Sequence, residues 1–126
     1  TSKLKMTKKE PFIINRIKSL GFALKGALLL LKNEASIQVQ ASIAVLVTFA
    51  GFYFEISAIE WMVQLLVIAV VISAEALNSA IEEIADFIHP EYHKKIGYTK
   101  DIAAGAVFFA GIAGIIIAGI IYIPKF

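Results

Sequence analysis

The sequence predicts an all-α membrane protein, in which three transmembrane helices and an amphipathic surface helix form a single membrane domain over residues 1–126. Three observations predict this fold. Of the 126 residues, 59% are hydrophobic, whereas soluble domains contain roughly 45–50% apolar residues. Three apolar stretches have about the 20-residue length that a helix needs to span a membrane. The basic residues are concentrated in the N-terminal quarter and in one connection between these stretches.

The N-terminal part of the chain is basic and less apolar than the rest. We expect residues 1–11 to form a basic tail and residues 12–32 an amphipathic helix, because apolar side chains recur there at every third or fourth position. Lys18, Lys25 and Lys32 recur every seven residues on another face of this helix. They suit either anionic lipid headgroups or the phosphates of a nucleotide, and the sequence leaves both interpretations open.

The three spans are predicted at residues 35–54, 61–86 and 102–123. The third is the clearest, because no charged residue lies between Asp101 and Pro124. A soluble core could in principle hold three such helices, but so short a chain has too little polar surface to cover them.

The third span also carries a pattern of small residues. Ala110, Gly114 and Ala118 are spaced four residues apart, which lets helix backbones approach closely in a membrane. The pattern predicts packing within the subunit or between copies, so we expect a homo-oligomer.

The distribution of charge predicts the orientation. Eight of the 12 Lys and Arg residues precede Glu34, and three more lie between the second and third spans. The other connection, residues 55–60, holds two acids and no base. By the positive-inside rule the N-terminus and the second connection are cytoplasmic and the C-terminus is outside. We expect no nucleic-acid partner.

A polar stripe lies on the second predicted span, directly after an almost purely apolar run. Its residues are three, four, seven and eleven positions from the first, which places them on one helix face: Glu75, Asn78, Ser79, Glu82 and Asp86. A carboxylate within a membrane span is costly, so a functional site is the default hypothesis. For Glu82 and Asp86 a solvated helix end is the alternative, but Glu75 lies about 10 Å deeper than Glu82 along the helix axis.

The available ligands point to a hard cation. The chain has no cysteine, which excludes a thiolate metal site and a disulfide framework. Glu34, Glu75, Glu82 and Asp101 lie near the predicted inner interface, and carboxylates of this kind suit Mg²⁺ together with substrate phosphates. The sequence has no Walker A motif and no Gly-rich dinucleotide loop, so a nucleotide site would be built from helix side chains. His89 and His93 flank Pro90 and are interpreted as loop residues rather than metal ligands.

Three separated motifs stand out in the sequence: Asn33-Glu34-Ala35, then Glu75-x-x-Asn78-Ser79-Ala80-Ile81-Glu82-x-x-x-Asp86, and then Glu91-Tyr92-His93 followed by Lys100-Asp101-x-x-x-Gly105-Ala106-Val107. Their order and spacing resemble those of the prokaryotic diacylglycerol kinase family, the small integral-membrane lipid kinases that include undecaprenol kinases. The resemblance covers about residues 12–123. It implies a homotrimer with active sites shared between subunits at the cytoplasmic face of the bacterial inner membrane.

The resemblance also implies an activity: transfer of the γ-phosphoryl group of MgATP to the hydroxyl of a membrane lipid. Glu75 would be the general base and Asn78 would position the reacting groups, while Glu34 and Glu82 would bind Mg²⁺. Nucleotide and phosphate would be bound by Lys100, Asp101, Lys18 and Lys25, with support from Asn33, Ser79 and Asp86. We expect diacylglycerol as the acceptor, giving phosphatidic acid, with undecaprenol as the alternative.

The alternative to an enzyme is a non-enzymatic membrane channel or scaffold, in which the acidic stripe would line a path for cations. Such a path needs polar residues along the whole depth of a span, whereas residues 61–71 contain Gln64 as their one clearly polar side chain. The half-depth stripe therefore favours the enzyme.

Overall fold

A computed structural model describes residues 11–126, and this part of the chain is helical without any strand. The helices are α1 (Phe12–Asn33), α2 (Ala35–Tyr53), α3 (Ala58–Ile88) and α4 (Lys94–Tyr122), and a 3₁₀ turn at Ile123–Lys125 follows α4. The basic tail expected at residues 1–11 falls almost wholly outside the described residues.

Helix α1 belongs to the first of two compact units, which ends at Glu34. The helix begins directly after Pro11, whose φ of −55° already suits a helix start. It ends where Glu34 takes an extended conformation and its N–H bonds to the carbonyl of Leu30 at 3.0 Å. No residue of α1 is buried. The sequence predicted this helix at residues 12–32, which agrees with the structure to within one residue. Its location on a membrane surface stays a prediction.

Helices α2 to α4 form the second unit, and each is long and apolar enough to cross a membrane. Helix α3 lies between the others, since it packs closely on α4 and more loosely on α2. At Gly114 of α4 an added Cβ would lie 3.3 Å from Val67 Cγ1 and 3.7 Å from Val71 Cγ2. The small residue therefore permits the close approach of α3 and α4, as its spacing predicted.

Large apolar side chains cover the outside of this unit. Leu46, Phe109 and Ile115 are each at least 66% exposed. Such a surface suits a hydrocarbon solvent, because three apolar helices gain little by hiding their side chains from lipid. The all-helical fold with three candidate membrane spans agrees with the sequence prediction.

A short turn joins α2 to α3 at what we call the Tyr122 end of the unit, where α4 also finishes. Ser57 and Glu60 form a capping box, in which each side chain accepts a hydrogen bond from the other residue's backbone N–H. Gly51 is buried against Trp61, whose Cη2 would lie 2.6 Å from an added Cβ. A side chain at position 51 would therefore push α2 away from α3.

The opposite end, which we call the Glu82 end, holds the connection from α3 to α4. His89 Nδ1 lies 2.6 Å from the carbonyl oxygen of Glu91, and His93 Nδ1 accepts a hydrogen bond from the N–H of Lys95, which caps α4. The structure thus uses both imidazoles to shape the loop. Helix α4 begins eight residues before the apolar run predicted at 102–123, because its first two turns are polar.

Candidate active site

The polar stripe of α3 is formed as the spacing predicted, with its members at graded depths. Ser79 is 7% exposed, Glu75 and Asn78 are half-buried, and Glu82 and Asp86 are exposed at the end of the helix. Glu75 is thus a partly buried carboxylate about two turns before the exposed Glu82.

Asn78 and Glu82 are direct neighbours on this stripe. The amide nitrogen Nδ2 of Asn78 lies 3.5 Å from Oε1 of Glu82, which is at the long limit for a hydrogen bond. The other amide atom, Oδ1 of Asn78, is buried and has no hydrogen-bond partner. A buried acceptor without a hydrogen bond lowers the folding stability unless another group, such as a ligand, donates to it or binds it.

The oxygen atoms of Asn78 and Glu82 have the right chemistry for Mg²⁺, which prefers carboxylate, amide and water oxygens. Among residues 11–126, no group of three or more His, Asp and Glu side chains lies close enough to hold a metal on its own. A magnesium ion bound through one or two carboxylates keeps the rest of its shell for water and substrate phosphates. The oxygens of Asn78 and Glu82 fit this mode of Mg²⁺ binding. The observation that supports it is the buried Asn78 oxygen, which has no hydrogen-bond partner.

Lys100 of α4 is held at the same end of the unit. Its ammonium group donates a hydrogen bond to the carboxylate of Asp86 and forms an ion pair with it. Asp86 lies one helical turn beyond Glu82, so the pair places a positive charge beside the exposed end of the stripe. Asp101 follows Lys100 and is exposed.

The remaining predicted site residues belong to the first unit. Glu34 caps the end of α1 and is half-buried, and the adjacent Asn33 is exposed. Lys18 and Lys25 are exposed on the same helix. A joint site of Glu34 with the α3 stripe stays a prediction.

Sequence reasoning missed two features of the second unit. The first is the ion pair of Lys100 with Asp86, because residues 14 positions apart across a loop leave no periodic signal. The second is a polar network at the Tyr122 end. There the hydroxyl of Tyr122 donates to Gln64 Oε1 at 2.6 Å and lies 3.2 Å from the carbonyl oxygen of Val47, and Gln64 Nε2 donates to the same carbonyl at 3.2 Å.

Three apolar helices with a half-buried carboxylate and an amide–carboxylate pair at one end define a helical membrane protein that has a polar site near one surface. The model of the family described as prokaryotic diacylglycerol kinase matches residues 21–122. The chain belongs to this family, which confirms the resemblance stated from its motifs.

Curated relatives with two different names match most of the chain. The undecaprenol kinase of Bacillus subtilis (strain 168) is 39% identical over 94 residues, which are 75% of this chain and 76% of that protein. The diacylglycerol kinase of Escherichia coli (strain K12) is 32% identical over 100 residues, 79% of this chain and 82% of that protein. The diacylglycerol kinase of Haemophilus influenzae is 31% identical over 107 residues, 84% of this chain and 91% of that protein.

Proposed function

We propose that the protein is a lipid kinase that transfers the γ-phosphoryl group of MgATP to the primary hydroxyl of a membrane lipid. Family membership supports the reaction class, and the half-buried Glu75 on the same helix face as the orphaned Asn78 oxygen and Glu82 is the observation that carries it. A reaction between a water-soluble nucleotide and a membrane alcohol needs a site that bridges both phases, and a stripe of graded depth provides one.

Glu75 is the proposed general base. Its carboxylate would accept the proton of the lipid hydroxyl as the oxygen attacks the γ-phosphorus, while the bond from that phosphorus to the oxygen of ADP breaks. Its position about 10 Å deeper than Glu82 suits a hydroxyl at the membrane interface. Asn78, between the two carboxylates, would position the reacting groups.

Glu82 and Glu34 are the proposed Mg²⁺ ligands, with the Oδ1 atom of Asn78 as a further oxygen donor. The ion would screen the negative charge of the phosphates and orient the γ-phosphoryl group. Lys100, fixed by Asp86, would contact a phosphate. Asp101, together with Lys18 and Lys25 of α1, would complete the nucleotide site.

The proposed acceptor is a lipid alcohol, and the two candidates are diacylglycerol and undecaprenol. The sequence led us to expect diacylglycerol, and relatives named diacylglycerol kinase support it. The higher identity to an undecaprenol kinase, 39% against 32%, favours undecaprenol. Both present a primary hydroxyl, and pockets lined by apolar residues discriminate weakly between apolar tails.

We further propose that the chain is a homotrimer in the bacterial inner membrane, with active sites shared between subunits. The N-terminus and the Glu82 end would face the cytoplasm, where ATP is present, and the C-terminus would face outward. The excess of Lys and Arg before Glu34 and in the connection from α3 to α4 supports this orientation.

The test is transfer of labelled phosphate from MgATP to diacylglycerol and to undecaprenol, each presented alone in mixed micelles. Wild type and Glu83→Gln, whose side chain is an exposed neighbour of the stripe, should form product, and the preferred lipid names the acceptor. Glu75→Gln should lose about 10²- to 10⁴-fold in rate. If Glu75→Gln keeps full turnover, or if liposomes holding the protein conduct cations without any transfer, the proposal is wrong and the channel alternative gains support.

A further inference from the structure

A cavity of about 280 Å³ lies between α2, α3 and α4. Its wall is almost entirely apolar, and the amides of Gln40 and Gln64 are the polar side chains in it. On α4 the lining extends from Gly111 to Ile121, which corresponds to a length of about 15 Å. The cavity is thus elongated along the helix axes rather than a gap at one contact.

The two ends of this cavity differ. At one end Val47 and Gln64 line it, and the hydroxyl of Tyr122 bonds to both of them, tying the three helices together. At the other end it is lined by Val71, and Glu75 follows one turn later on the same face of α3, about 6 Å along the axis. The cavity therefore begins about one helical turn from Glu75 and ends beside the polar network of Gln64 and Tyr122.

The size and lining limit what can occupy this space. The volume is about twice that of an apolar cavity of about 150 Å³ that stays dry and takes up benzene, so an apolar wall favours hydrocarbon over water. A single extended hydrocarbon chain, which is far narrower than a helix of about 10–12 Å, matches this elongated apolar space.

The charge beside the Val71 end of the cavity selects the headgroup. Glu75 and Glu82 would repel the phosphate of an ordinary membrane phospholipid, whereas an uncharged alcohol meets no such repulsion. We infer that the cavity binds one hydrocarbon chain of the lipid acceptor, with its hydroxyl at Glu75 and the Gln64–Tyr122 network at the far end of the chain. This inference rests on the proposed lipid kinase function.

Photo-crosslinking tests the occupant without requiring turnover. The probe is a long-chain primary alcohol with a diazirine at the end of its chain, added to the full-length protein in mixed micelles. Ala118→Leu and Ala44→Leu fill the cavity from two helices, Ala118→Val fills it less, and Ala113→Leu is the control, since Ala113 is exposed on α4.

Wild type and Ala113→Leu should be labelled at cavity residues such as Val47 and Ala118. Labelling should fall about tenfold in the leucine variants and less in Ala118→Val, in line with the steric cost of filling a packed space. Unlabelled alcohol should compete, and phosphatidylglycerol should not. Equal labelling of exposed side chains in every variant would overturn the inference, and so would equal competition by phosphatidylglycerol, since the cavity would then hold a structural lipid.

A kinetic measurement separates this inference from the proposed function. Ala118→Leu should raise the KM for a long-chain acceptor about tenfold while leaving the KM for ATP and the rate with dihexanoylglycerol unchanged, and Ala113→Leu should match wild type. An active enzyme whose lipid KM is the same in both variants would overturn the cavity inference alone. Absence of transfer in wild type would instead count against the kinase, whatever the crosslinks show.

Discussion

The two ends of the three-helix unit use polar side chains in opposite ways. At the Tyr122 end the polar groups are paired with one another. Tyr122 forms hydrogen bonds with Gln64 and Val47, and Lys125 forms an ion pair with Glu60 at 3.3 Å. At the Glu82 end the amide oxygen of Asn78 is buried without a partner. Satisfied buried polar groups stabilise a fold, while orphaned ones lower its stability and are available to a ligand.

This contrast assigns different tasks to the two ends. The Tyr122 end also contains an aromatic cluster, in which the ring of Phe54 lies 5.8 Å from that of Tyr122 and 5.3 Å from that of Phe126. Changes at the Tyr122 end should therefore alter stability and leave the chemistry intact. Changes at the Glu82 end should alter the chemistry and leave stability unchanged or improved.

Among changes to the proposed metal and phosphate ligands, the largest effect is expected from Glu82→Gln at the Glu82 end. Removing one carboxylate charge should weaken Mg²⁺ binding, so phosphate transfer should fall more than about 100-fold, beyond the 10- to 100-fold typical of changes to groups that only support metal ligands. A titration of the rate with Mg²⁺ checks this, and excess metal should restore part of the activity. The same Mg²⁺ dependence as in the Glu83→Gln control would contradict the metal role.

A smaller effect is expected from Asp86→Asn, which removes the ionic partner of Lys100. The freed ammonium should contact phosphate less often, raising the KM for ATP by up to about fivefold, in keeping with the modest strength of exposed ion pairs. Steady-state kinetics at varied ATP concentration measures this. Loss of kcat with an unchanged KM would instead place Asp86 at the reacting groups.

At the Tyr122 end, Tyr122→Phe should lower stability by about 0.6–1.7 kcal/mol, which spans the average and the largest values for hydrogen bonds between helices in membranes. Equilibrium unfolding in mixed micelles gives the value. Because Gln64→Leu removes the same network, the double variant should lose less stability than the sum of the single variants. Full additivity would show that the two side chains act independently.

The smallest effect is expected from Lys125→Met, which removes the ion pair with Glu60. Both side chains are about one-quarter exposed, so the fall in Tm should be smaller than in Tyr122→Phe and should shrink as salt is added. Thermal unfolding at low and high ionic strength checks both statements. A salt-independent loss would indicate that packing of the lysine stem, rather than charge, stabilises this end.

The features that follow a repeating pattern could be predicted from the sequence. Apolar length predicted the three long helices, and the spacing of Asn78 and Glu82 predicted their contact on α3, because a helix brings residues four apart together. The start of α4 at Lys94 was not predicted, since hydropathy marks the apolar part of a helix and not its polar first turns. The bonds of Tyr122 to Gln64 and Val47 depend on how α2, α3 and α4 pack, and an aromatic residue at a helix end is equally typical of an interfacial anchor.

The most direct test of this division measures unfolding free energy and phosphate transfer together in Asn78→Leu and Tyr122→Phe. Asn78→Leu replaces a buried orphaned oxygen by an apolar group of similar size, so the protein should become as stable as wild type or more stable, while transfer falls about tenfold or more. Tyr122→Phe should become less stable and keep its transfer rate below the unfolding temperature. If instead Asn78→Leu is destabilised and active, or Tyr122→Phe is stable and inactive, the assignment of chemistry to one end and stability to the other is wrong.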